Sequence, residues 1–223
     1  MAPDSLKGGD TKKKHTFILI ITIITLMLPS CAPASARPEI EPILNQDPLL
    51  VVDRVTTGFN AGDVEGVLAY YAPDIRIIFI TGSVDPWDGM DLAWDFLEYH
   101  AYMDSEMTVE DCEYDGESRV KCSMTLNSTW IEAAGLPPYV FPELRYEFNE
   151  QGQVREIFTR VDATTSSLLD IVVRSYVAWM NNNYPQEADI ITDPKHDFNF
   201  EYNLEAAEIQ DVRIREWKEQ TDS

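Results

Sequence analysis

Long apolar runs are scarce in this 223-residue chain: the longest, Thr16–Leu28, has 13 residues. As a helix at 1.5 Å per residue it spans roughly 20 Å, short of a bilayer core of about 30 Å. Positive charge is scarce too. The first 30 residues hold four of the 17 basic and two of the 39 acidic residues, so the remainder carries 13 basic and 37 acidic ones. A surface with that balance repels phosphate backbones and anionic headgroups, which excludes nucleic acid as a partner. Histidine occurs three times, at His15, His100 and His196, too thinly for a zinc site, and no metal is expected. HExxH, paired CxxC, GxSxG and P-loop patterns are all missing, and nothing calls for a cofactor.

What is present begins with a leader. Lys7, Lys12, Lys13 and Lys14 precede the apolar run, the order of an export signal. The run ends in Leu28-Pro29-Ser30-Cys31, which resembles the bacterial lipobox, where a small residue precedes the cysteine that is lipidated. Cleavage after Ala34-Ser35-Ala36 is the alternative, and leaves Cys31 in the discarded piece. The first reading anchors the protein to the cell envelope through a palmitoylated Cys31 as its only membrane contact; the second secretes it. Residues 31–46, rich in Pro and Ala, are expected to form a tether.

The remaining residues suit one domain with a core, and an aromatic content of 11% argues for a folded chain. Apolar residues at 50, 51, 55 and 59 predict a helix over 47–59, broken at Asn60-Ala61-Gly62-Asp63. A short helix over 64–70, a strand over 75–80 and a helix over 90–101 follow. Hairpins are expected at 107–114/119–130 and 140–148/153–161, then a helix over 166–181 and a last one over 204–217. Helices, then hairpins, then helix give an α+β domain. Cys112 and Cys122 flank the turn Tyr114–Ser118 and would stand nearly opposite each other, so a cross-strand disulfide is expected in an oxidising compartment. Alternation puts Leu144, Tyr146 and Phe148 inward and Glu143, Arg145 and Glu147 outward, with Arg145 pairing near Glu156.

The stretch Phe59-Asn-Ala-Gly-Asp-Val-Glu-Gly-Val-Leu-Ala-Tyr-Tyr-Ala-Pro-Asp74, followed at once by a strand, resembles the SnoaL-like branch of the nuclear-transport-factor-2-like superfamily. Tyr146–Ile157 resembles that family's late hairpin. The resemblance covers residues 47–182 and leaves 183–223 as a partly helical extension. It implies a cone: a curved antiparallel sheet, a cystatin-like roll, wrapped round the N-terminal helices over an apolar cavity. Family members isomerise, cyclise, hydrolyse epoxides or dehydrate, and others only bind or scaffold; a homodimer through the outer sheet face is also implied.

Candidate site residues follow from chemistry. His100, between Tyr99 and Tyr102, can exchange a proton near neutral pH, or simply meet the negative end of its helix. An acid in an apolar pocket acquires a raised pKa, and Asp85, Asp88 and Glu143 are the candidates, Asp85 foremost as a catalytic group. Trp87, Trp130 and Tyr146, with Trp94, are the candidate lining for a small, flat, apolar ligand. Two readings stand: a non-catalytic binder of such a molecule, or a proton-transfer enzyme built on the same cavity.

Overall fold

The computed structural model describes residues 37–80, 87–192 and 200–222, without the side chains of residues 79, 80 and 87. The leader, Cys31, Asp85 and His196 lie outside the described residues.

Chain order builds α1 (Pro48–Asn60), α2 (Val64–Leu68), β1 (Tyr71–Ile80), β2 (Trp87–Asp88), α3 (Met90–Tyr102), β3 (Glu106–Tyr114) and β4 (Arg119–Asn127). It continues with α4 (Thr129–Ala133), β5 (Tyr139–Phe148), β6 (Val154–Arg160), α5 (Ala163–Asn183), α6 (Pro185–Ile191) and α7 (Leu204–Thr221). The strands form one sheet in the order β2-β1-β6-β5-β4-β3. This is the expected α+β class with a curved, unclosed sheet. One ladder departs from the antiparallel pattern: β1 runs parallel to β6, with Ile77 beside Ile157.

Local chemistry explains the elements. Asp47 caps α1 by accepting from the N–H groups of Leu49 and Leu50, and Pro48 fills the first turn. The α1–α2 break needs a residue at φ +66°, which Gly62 supplies without a Cβ penalty. Asn60 then reaches across to β3. Its side-chain nitrogen donates to the Met107 carbonyl at 2.8 Å, and its oxygen accepts from the Met107 N–H at 2.7 Å. β1 starts at Tyr71, earlier than the expected residue 75. Pro73 has no N–H to give a ladder, so the register shifts between Tyr71 and Arg76 instead of ending the strand.

A bulge with Asp111 at φ 54° brings Cys112 against Cys122, and the two are joined in a disulfide with Cα atoms 4.2 Å apart. On β5 the inward set includes Leu144, Tyr146 and Phe148, as the alternation predicts, and Phe141, which joins it across a register shift. The outer charges pair differently from expectation. Arg145 lies opposite Phe158, with its guanidinium 4.4 Å from that ring, and its acid partner is Glu143 at 3.8 Å. Glu156 meets Arg76 instead.

The end of the expected tether is fastened to the domain. Ile40 packs on the first core, the Ile43 N–H donates to the Ala69 carbonyl, and the Asn45 N–H donates to the Gln151 carbonyl. Gly152, at φ +77°, lets that strap approach, since a Cβ there would stand 3.3 Å from the Gln46 carbonyl oxygen.

Two cores result. The first lies between α1–α3 and the concave face of the sheet, with Val51, Val55, Leu68, Ile75 and Leu144 among its most buried members. The second gathers α5, α6 and α7 against Tyr99, Met103, Trp130 and Ile131. The buried apolar residues of α5, Val173, Tyr176 and Met180, all belong to the second core. Residues from Ile40 onward form one compact unit. Among the described residues no helix is long and apolar enough to cross a membrane.

Candidate functional site: a neutral chamber under the sheet

Between the helices and the concave face of the sheet lies a partly open cavity of about 40 Å³. Helix α1 contributes Val55 and Phe59, and α3 contributes Phe96 and His100. Every long strand contributes at least one residue, including Met107 from β3, Met124 from β4 and Leu144 from β5. Four lining side chains are polar: Tyr71, His100, Tyr146 and Thr159. None is a carboxylate, a lysine or an arginine.

His100 reaches this position because α3 carries its apolar face inward at Ala93, Phe96, Leu97 and His100. Phe96 meets the imidazole edge-on at 4.4 Å and Tyr202 stacks on it at 5.7 Å. Nδ1 is hydrogen-bonded to the Ser105 hydroxyl at 2.9 Å. Burial without a charged partner pushes the imidazole down to about 3, so it is neutral at any ordinary pH. Tyr71 and Tyr146 are equally buried. Burial raises both phenols, and Tyr146 raises Tyr71 further, so each hydroxyl stays protonated. Both residues line the cavity, each as a phenol able to donate one hydrogen bond.

The expected site residues are not all brought together. His100 and Tyr146 share the cavity. Trp130 does not line it; it sits on α4 in the second core, 5.3 Å from the Phe200 ring. Trp87 is placed through its backbone, opposite Ile77. Asp88 lies on the surface, paired with Arg76 at 3.1 Å, and Glu143 lies on the outer face, 3.2 Å from Arg160. The sequence reading missed Tyr71 because Pro73 made its segment look like the end of a helix. The methionines 107 and 124 were missed because nothing distinguishes lining from core in a strand pattern. Among the described residues no cluster of His, Cys, Asp or Glu could hold a metal ion.

No family model matches the chain, and no curated protein matches it. Solved structures do. The epoxide hydrolase/cyclase-like enzyme SalBIII, of pyran ring formation in the polyether salinomycin, aligns at 12% identity with a TM-score of 0.47. An NTF2-like protein of unknown function from Cytophaga hutchinsonii aligns at 10% and 0.42. RV0760c from Mycobacterium tuberculosis, in complex with estradiol-17beta-hemisuccinate, aligns at 19% and 0.45. The matches cover 53%, 57% and 54% of this chain and 92%, 96% and 98% of those chains. Identities below 20% leave the functional argument to the cavity.

Proposed function

We propose that this is an exported binding domain that holds a small, neutral, apolar molecule beneath its sheet and performs no proton-transfer chemistry on it. The observation that carries this is His100. A general base works best with a pKa near the working pH. An imidazole at about 3 is too weak for that, and among the described residues no carboxylate lines the chamber to replace it. What remains is apolar wall plus phenol donors from Tyr71 and Tyr146, a lining suited to an apolar body with one hydrogen-bond acceptor.

Size sharpens the reading. A dry cavity of about 150 Å³ accepts benzene, whereas this one has about 40 Å³. A ring-sized ligand therefore needs the wall to yield. Met107 and Met124 are the lining residues with the freedom to do so, being unbranched and rotatable. Native mass spectrometry of protein purified from its own host tests the reading. The expected result is a retained neutral mass that disappears in Leu126→Phe, which fills the chamber. Protein that is always bare, and that leaves apolar probes such as indole unbound, contradicts it.

The export reading belongs to the same proposal. A lipidated Cys31 would hold the domain on the nine residues before Ile40, an extended reach of at most about 30 Å. Palmitate-analogue labelling that is lost in Cys31→Ser supports it. Label-free protein cleaved after Ala36 supports secretion instead.

A further inference from the structure

Four buried polar atoms in or beside the second core have no hydrogen-bond partner among the described residues: Trp130 Nε1, Tyr139 Oη, Tyr176 Oη and Gln210 Nε2. Trp130 is 4% exposed, and Tyr176 and Gln210 are fully buried. Packing gathers them. Gln210 Oε1 accepts from the Tyr99 hydroxyl at 2.8 Å. The Trp130 and Tyr176 rings meet edge-on with centroids 6.2 Å apart, and both stand against Phe200, at 5.3 and 6.1 Å. Tyr139 and Tyr176 lie near enough to Tyr99 to oppose its ionisation. None of the four lines the apolar chamber. Tyr202 stands at the junction, packed against both cores.

All four groups can donate, and the indole and amide N–H groups can do nothing else. One bare buried donor lowers the folding equilibrium by on the order of tenfold, so four lower it by on the order of ten-thousand-fold. The whole folded-to-unfolded ratio of a small domain is roughly 10³ to 10⁸. Four such vacancies would take a large part of that ratio, and no described residue fills them, which points to an occupant at the seam. That occupant is neutral. The charges nearest Tyr176 are Arg213 and Glu187, and they are bonded to each other at 2.6 and 2.9 Å. An anion would enter a protein of net charge −22 with no free cation beside it among the described residues.

We infer that the seam between the cone and α5–α7 is a second binding site, in which Trp130, Tyr139, Tyr176 and Gln210 donate to neutral acceptor oxygens, each oxygen taking at most two of them. Those oxygens belong to water or to a small carbonyl or hydroxyl compound.

Two substitutions test this with little change of shape, because Tyr139→Phe and Tyr176→Phe each remove one hydroxyl. With the oxygens in place, each variant loses a satisfied bond, and its unfolding constant in urea rises about five- to tenfold. A crystal structure of the full chain then shows a density peak bonded to at least two of the four atoms. Native mass spectrometry of the same preparation separates the sources. No retained mass identifies water; a retained mass lost from the double variant identifies a small compound. No peak at the seam, or variants as stable as the parent, overturns the inference.

Discussion

His100 carries most of the functional argument, and its burial has a consequence for stability. The unfolded imidazole titrates near 6.5 and the folded one near 3. Between those values the unfolded chain binds the extra proton, so stability is full above about pH 6.5 and is lost as pH falls toward 3. At about 1.4 kcal/mol per unit, roughly 2.5 kcal/mol disappears between pH 6.5 and 4.5. The carboxylates with lowered values, Asp47, Asp162, Glu187 and Glu216, titrate below that window, since their ordinary values are 3.8 to 4.5. His100→Gln, which keeps a partner for Ser105, is therefore expected to flatten the urea midpoint between pH 6.5 and 4.5. An unchanged slope would show that the imidazole is not the group responsible.

The same residue shows what sequence can and cannot reveal. Its place at the end of α3 was legible, because helical spacing put it beside Phe96 and Leu97. Its protonation state was not. That depends on Phe59, Phe96, Tyr99 and Tyr202 closing round it, and Tyr202 is 102 positions away in the chain.

At the scale of elements, the late hairpin and its inward face were readable because burial alternates from Leu144 to Phe148 and from Ile157 to Arg160. The parallel β1–β6 pairing was not, since it depends on where α2 delivers the chain. Asn60 makes that delivery specific by pairing both backbone groups of Met107 across 47 positions. Asn60→Ala is expected to cost about 1 kcal/mol, because it leaves two part-buried backbone groups of Met107 without this partner. Hydrogen exchange at Met107 should quicken at the same time; unchanged protection would mean that water substitutes fully for Asn60.

The disulfide works at this scale as well. It closes a loop of sequence separation 10. A closure that short restricts the unfolded chain by about 2.5–3 kcal/mol. The double variant Cys112→Ser/Cys122→Ser should lose about that much in chemical denaturation. The unreduced parent should show neither thiol, and two reactive thiols would refute the bridge.

At the largest scale, the unit from Ile40 onward is a cone with a second core built onto it, and the second core was the least legible part. A helix over 204–217 was expected, but not that it would bury Gln210, nor that α6 would precede it. Periodicity identifies an apolar stripe and is silent about its partner. Here the partners are Tyr99, Met103, Trp130 and Ile131, which the cone alone would leave uncovered. At about 1.5–3 kcal/mol for each large apolar side chain, their exposure rivals the 5–15 kcal/mol that holds a typical domain together. Truncation after Val161 should therefore give a chain that binds a hydrophobic dye and loses its near-ultraviolet dichroism. A cooperative, dye-free unfolding transition in the truncated chain would show the cone to be self-sufficient.

The central claim is that the chamber is electrically neutral and built to hold a molecule, not to move a proton. An NMR titration of His100 reads this most directly, in a chain carrying His15→Gln and His196→Gln so that one imidazole remains. The account predicts ring carbon and nitrogen shifts that stay at their neutral values from pH 8 down to 4.5. An inflection between pH 6 and 7 would contradict it and return the chamber to the class of proton-transfer sites.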